Sequence, residues 1–206
     1  GLKEEMIQRN LPGTIVFYAC PGEELLTGKP LMAKGGAFEG LDVAVNFHPN
    51  KINEATVGVS TAVNSAKFHF YGKASHAANA PENGRSALDA VELTDIGANY
   101  LREHVPSDVR IHYTIVDGGV APNIVPDKAV VWYYMRAFSR EVVENVYERL
   151  VKVAKGAAMM TETELEIEFL GGCYNTQNTH VLAGVVAEAM NGIPQEPWTQ
   201  EELDFA

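Results

Sequence analysis

The sequence predicts two architectures in one chain. One is an incomplete, mostly parallel α/β layer; the other is a small α+β unit of ferredoxin-like order inserted into it. Three observations predict this. Apolar runs alternate with turn and helix signals over the first sixty residues, the pattern of a parallel layer. From about residue 60 the apolar residues recur at every second position, the period of a half-buried strand. Those strands interleave with two amphipathic helical stretches in the order β-α-β-β-α-β, the split βαβ unit. The boundaries fall at 1–59 for the partial α/β portion, 60–170 for the inserted unit and 171–206 for an incomplete return to the α/β portion.

The elements follow in chain order. Gly1 to Ile7 reads as the tail of a helix. The apolar run Thr14-Ile15-Val16-Phe17-Tyr18-Ala19 predicts a buried strand over 13–19. A Pro21-Gly22 turn leads to a helix at about 25–35, where Pro30 delays the start or breaks the helix. Leu41 to Phe47 predicts a second strand ending at His48. Ala66 to Tyr71 alternates as a strand, and 85–103 is a helix with Ala87, Val91, Thr94, Ala98 and Leu101 on one face. Arg110–Val116 alternates again, with His112 on its outward side. Asp117-Gly118-Gly119 is a turn, and Ala129–Ala137 is rich in β-branched and aromatic residues. Residues 140–158 form a second helix, striped by Val143, Val146, Leu150, Val153 and Ala157. Thr163–Phe169 is the last strand, Gly171-Gly172 reads as an exit hinge, and Val181–Met190 as a helix.

Composition narrows the function classes. The 206 residues carry a formal net charge of −11, which argues against nucleic acid and anionic membrane surfaces as partners. No apolar run reaches the roughly 18 residues of a membrane span, and nothing at the start resembles a signal peptide. Two cysteines, Cys20 and Cys173, do not make a disulfide framework; a cytoplasmic setting is the default. The chain opens without Met and closes in Glu201-Glu202-Leu203-Asp204-Phe205-Ala206 without a stop signal, so the reading expects a fragment of a longer protein.

Glu23 and Glu24 lie just past the C-terminal end of the first predicted strand, and His48 ends the second. Open α/β sheets bind ligands at that rim. One carboxylate can hold a metal while its neighbour moves a proton. The plain alternatives are acids at a helix start, favoured by the helix dipole, and a surface histidine.

Four stretches decide between these. GTIVFYACPGEE, VAVNFHP, FYGKASHAANAPENGRSALDAV and GGVAPNIVPDKAVVWYYMRAFS follow one another with compatible spacing over about 13–140. In this order they resemble the aminoacylase-like co-catalytic metallopeptidases, a family of amidohydrolases and peptidases. A His at 48 marks the amidohydrolase branch, and the wording around Cys20 and APNIVPD resembles the members that act on p-aminobenzoyl-glutamate.

The resemblance implies a metal-dependent hydrolase of N-acyl amino acid amides, with the inserted unit as a lid and dimerisation domain. It implies Glu23 as general base and later acid, and Glu24 and His48 as ligands of one or two divalent metals, zinc or manganese. The remaining ligands would lie outside this chain, which alone would hold metal weakly or not at all and be inactive. It implies that His76 reaches across a homodimer to stabilise the oxyanion, that Asn123 binds substrate or oxyanion, and that Arg136 grips the substrate carboxylate. Alternatives remain for each: a capping loop histidine at 76, a turn asparagine between prolines at 123, and an Arg136 stacked on Trp132 or Tyr134. At the level of the whole chain, two others stay open. One is a ferredoxin-like interaction module without activity. The other is an aminoacylase or peptidase with a different acyl group. A second type of subunit is also open.

Overall fold

The computed structural model describes residues 2–194 and 196–205. They divide into two compact units, residues 1–40 and 41–206.

The first unit holds two short helices, α1 (Leu2–Gln8) and α2 (Gly28–Lys34). Pro30 falls in the first turn of α2, where a missing backbone N–H costs little, so the helix begins later than the periodicity predicts. Residues 13–19 carry no strand ladder. Tyr18 anchors this stretch by donating its hydroxyl to the Ala37 carbonyl at 2.6 Å and stacking edge to face on Phe38. Phe17 is 89% exposed.

The second unit is built on one four-stranded antiparallel sheet. Its strands are β1 (Ala62–Tyr71), β2 (Arg110–Asp117), β3 (Lys128–Ala137) and β4 (Glu164–Cys173), in spatial order β2-β3-β1-β4. Helix α3 (Ala87–Leu101) follows β1, and α4 (Arg140–Thr161) links β3 to β4. The β-α-β-β-α-β order expected over 60–170 is the order found. Beyond it lie α5 (His180–Asn191) and α6 (Gln200–Phe205), neither with a buried residue.

Local chemistry sets the helix ends. Ser86 caps α3 by accepting from the Asp89 N–H at 3.1 Å, while its hydroxyl donates to the Asp89 carboxylate, a variant of the reciprocal capping box. α4 stops where Glu162 turns left-handed at φ 54°, and the Thr163 N–H reaches back to the Ala158 carbonyl. Both helices cover one face of the sheet. Their stripes bury Val91, Thr94, Ala98, Val143, Val146 and Leu150 against Phe68, Phe70, Val131, Tyr133 and Met135. Gly97 lets the helices approach closely: a Cβ there would sit 2.4 Å from a Val153 methyl.

Three expectations need correction. The predicted strands 13–19 and 41–47 are irregular, and Phe47 is 92% exposed. A strand needs a neighbour for its N–H and C=O groups, and among the described residues only β1–β4 form ladders. The parallel α/β portion is therefore not seen. Gly171 and Gly172 are not a hinge but part of β4, paired with Ser65 and Asn64 after an irregularity in register. A side chain at 172 would meet Asn64 Oδ1 at 2.5 Å, so the position needs glycine to keep that pairing. The chain leaves the sheet later, where Ser60 and Thr176 exchange hydrogen bonds: each backbone N–H donates to the other's hydroxyl.

Candidate functional site

His76 and Asn123 are brought together. Their loops follow β1 and precede β3 and are knitted by backbone bonds. His76 and Ile124 form an isolated bridge, the Ala77 N–H donates to the Asn123 carbonyl at 3.0 Å, and the Val125 N–H donates to the Ser75 carbonyl at 3.0 Å. The His76 ring is exposed and accepts at Nδ1 from the Ala78 and Asn79 N–H groups, each at 3.2 Å. Two donors aimed at Nδ1 leave the proton of the neutral ring on Nε2. The capping role and a donor role therefore coexist: Nδ1 orders the turn, and Nε2–H is left to donate outward. Beside it, the Ser75 Oγ is buried without a hydrogen-bond partner among the described residues.

Arg136 lies on the sheet face turned away from the helices, the face it shares with Trp132 and Tyr134 on β3. Its guanidinium stands over the Tyr134 ring at 5.5 Å. In register it faces Arg110 on β2 and Val63 on β1. Like charges opposed across strands disfavour the pairing. Arg110 relieves this by turning to the Ser107 and Val109 carbonyls. Among the described residues no carboxylate pairs with Arg136. Stacking uses the face of the guanidinium and leaves its N–H edge open.

Glu23 and Glu24 belong to the first unit. Both are exposed in a turn closed by the Leu26 N–H on the Glu23 carbonyl at 2.9 Å, between Gly22 and α2. His48 belongs to the second unit, in a loop rather than at a strand end, with Nδ1 2.8 Å from the Pro49 carbonyl oxygen. Among the described residues no three His, Cys, Asp or Glu side chains gather into a group able to hold a metal. The described residues thus do not by themselves make a metal centre.

Two features escape the sequence pattern. His112, which alternation places at the surface, lines a concavity on the open sheet face together with Trp132 and Tyr134. Asp95, absent from the expected α3 stripe, is only 6% exposed and accepts from the Tyr133 hydroxyl. A signal exists for it: Asp95 stands four residues after Val91 and three before Ala98, on the inner face of the helix.

Likeness to known proteins agrees with this geometry. Residues 62–160 match the M20 peptidase dimerisation domain. The chain therefore carries an M20 peptidase dimerisation domain. This is the relationship the four motifs imply. Along its whole length the chain is 40% identical to one of the subunits of the p-aminobenzoyl-glutamate hydrolase of Escherichia coli K12, covering 43% of that protein. It is 35% identical over 80% of its length to the Xaa-Arg dipeptidase of Mus musculus, covering 38%. A crystal structure of an aminobenzoyl-glutamate utilization protein from Klebsiella pneumoniae superposes with a TM-score of 0.54 at 25% identity, over 66% of this chain and 34% of that one. The chain thus spans under half the length of these relatives. No helix among the described residues is long and apolar enough to cross a membrane.

Proposed function

We propose that this chain serves a metal-dependent amidohydrolase that cleaves the amide bond of an N-acyl amino acid, p-aminobenzoyl-glutamate being the substrate. The 40% identity to a p-aminobenzoyl-glutamate hydrolase subunit over the whole chain carries the reading. Residues 60–170 act as an inserted, ferredoxin-like lid, with 1–59 and 171–206 as parts of the catalytic portion. The strand order and the two helices on one face support that assignment. The lid pairs with a second copy, or with another type of subunit, through an exposed edge strand. The setting is cytoplasmic.

The roles divide as follows. Glu23 takes a proton from the attacking water and returns it to the leaving amine. Glu24 and His48 would each hold a zinc or manganese ion together with ligands from outside this chain; bound there, the metal would supply Lewis-acid polarisation. His76, its Nδ1 occupied by the turn, offers Nε2–H to the developing oxyanion in the partner's site. Asn123, on the adjoining loop, binds substrate or oxyanion. Arg136 receives the free carboxylate.

The test is Arg136→Ala in the full-length protein, assayed on p-aminobenzoyl-glutamate and its α-carboxamide. A charge-assisted contact is worth about 1.5–3 kcal/mol, so kcat/KM for the free acid falls at least about tenfold while the amide is little changed. A uniform loss on both assigns Arg136 to structure, stacked on Tyr134. Absence of amidase activity in the wild-type protein refutes the reading and favours a dimerisation module without activity.

A further inference from the structure

The outward face of β2 and β3 carries a feature that the roles of His76 and Arg136 do not use. Trp132 and Tyr134 stand two residues apart on β3 with rings edge to face at 5.5 Å. His112, in register with Tyr134, meets its ring edge to face at 5.7 Å. With Tyr113 and Thr114 these three line a shallow concavity of about 230 Å³. None of the three rings belongs to the core, which lies on the other side of the sheet.

The rings are held in place. Trp132 Nε1 donates to Ser65 Oγ at 2.9 Å, and the Lys67 ammonium stands over the Trp132 ring at 5.5 Å. Tyr134 is stacked under Arg136. Burial, then the charges of Arg136 and Arg102, push the His112 imidazole below its ordinary pKa. The ring is therefore neutral near pH 7 and adds apolar surface rather than another cation. A ring-sized apolar seat thus adjoins an unpaired guanidinium. Outward positions two residues apart on a strand are separated by roughly 7 Å, a span comparable to that between the ring of an N-aroyl amino acid and its α-carboxylate.

We propose that Trp132, Tyr134 and His112 form an aryl subsite that seats the aromatic acyl group of an N-aroyl amino acid whose carboxylate Arg136 holds. This rests on the amidohydrolase reading and adds to it the residues that seat and select the acyl group. Offset and edge contacts between aromatic rings favour such a ligand over an aliphatic acyl group of similar polarity. The small size of the seat suits one ring.

The experiment compares p-aminobenzoyl-glutamate, N-benzoylglutamate and N-acetylglutamate as substrates of the full-length protein and of its Trp132→Leu, Tyr134→Leu and Tyr134→Phe variants. The ratio of aroyl to acetyl kcat/KM falls about tenfold for each Leu variant, mainly through KM, and Tyr134→Phe retains it. Circular dichroism and thermal melts confirm that the variants fold. Calorimetric titration of p-aminobenzoyl-glutamate reads the same subsite without turnover. An unchanged ratio, an equal loss on all three substrates, or binding that survives both Leu substitutions overturns the subsite. A wild-type protein that binds the aroyl compound through these rings but hydrolyses none of the three overturns the amidohydrolase reading alone.

Discussion

The buried pair Asp95–Tyr133 makes the stability of the α+β unit depend on pH in an uncommon direction. Asp95 lies on the inner face of α3 and accepts from the Tyr133 hydroxyl in the core. Burial pushes its carboxyl from an ordinary 3.8 up to about 6. The Tyr133 hydrogen bond and Arg102 oppose that rise, and Glu92 adds to it. A carboxyl with a raised folded-state pKa binds its proton more tightly in the native than in the unfolded chain. Its contribution is fully present below about pH 4 and is lost as pH rises through about 6. That rise corresponds to about 3 kcal/mol. Asp95→Asn keeps an acceptor for Tyr133 but cannot ionise. It should match the wild type near pH 4 and exceed it by on the order of 2–3 kcal/mol at pH 7. Urea unfolding of both proteins at unit steps from pH 4 to 8 measures the difference, and other carboxylates cancel in it. A difference that does not change between pH 4 and 7, or that grows in favour of the wild type, refutes the reasoning. It would mean that Asp95 is stabilised as the anion by the tyrosine rather than penalised by its burial.

The remaining predictions concern the site and the helix packing. His76→Asn places an oxygen where Nδ1 accepts from Ala78 and Asn79, so the melting temperature should hold while kcat falls about 10²–10³-fold for want of the Nε2–H donor; equal activity removes His76 from the chemistry. Glu23→Gln in the full-length protein should lower turnover by about 10²–10⁴-fold with metal content intact, whereas Glu24→Gln should lose metal; equal metal loss in both means the roles are wrongly divided. The 206-residue chain alone should show no amidase activity and bind zinc more weakly than micromolar, since catalytic zinc usually takes three protein ligands; calorimetry that finds tighter stoichiometric binding contradicts this. Gly97→Val should cost roughly 1–3 kcal/mol by overpacking, because its Cβ would press on a Val153 methyl at 2.4 Å; Val153→Ala in the same chain should recover part of that loss in thermal melts.

How far the sequence carried the fold depended on whether an element could complete itself from nearby residues. The alternation in β1 and β2, the β-branched and aromatic content of β3 and the stripes of α3 and α4 placed the strands and α-helices between 62 and 173 within a few residues of their bounds, but not the short 3-10 turns at Pro81–Asn83 and Arg102–His104. In that region each strand finds its ladder partner within the same segment. Val153 alone of the expected α4 stripe is half-buried, because it faces Gly97 on the neighbouring helix rather than the sheet. The runs 13–19 and 41–47 have the same apolar character as β3 but no described neighbour to pair with. Apolar content marks a segment that is able to be a strand; the hydrogen-bonding partner decides whether it is one. The glycine pair at 171–172 misled for a related reason. A hinge and a strand pressed against a buried Asn64 both call for residues without a side chain, and only the register with β1 tells them apart.

The candidate site residues stand out in the sequence as motifs, and the structure adds how their loops and strands hold them. For His76 the rival readings do not compete: the turn takes Nδ1, and this fixes the tautomer that leaves Nε2–H free to donate. The same holds for Arg136, where stacking on Tyr134 and reception of an anion use different parts of the guanidinium, its face and its edge. What the sequence could not rank was the importance of neighbours on the open sheet face. His112, Trp132 and Tyr134 sit at alternate positions of two strands, which by period alone reads as solvent-facing. Their value emerges only when the register sets Thr114 against Trp132 and His112 against Tyr134, closing three rings around one concavity. This aromatic patch lies on the sheet face turned away from the helices, where packing of the core does not dictate its residues. Its residues are therefore free to be chosen for what they bind, and that is the reason to test specificity there first.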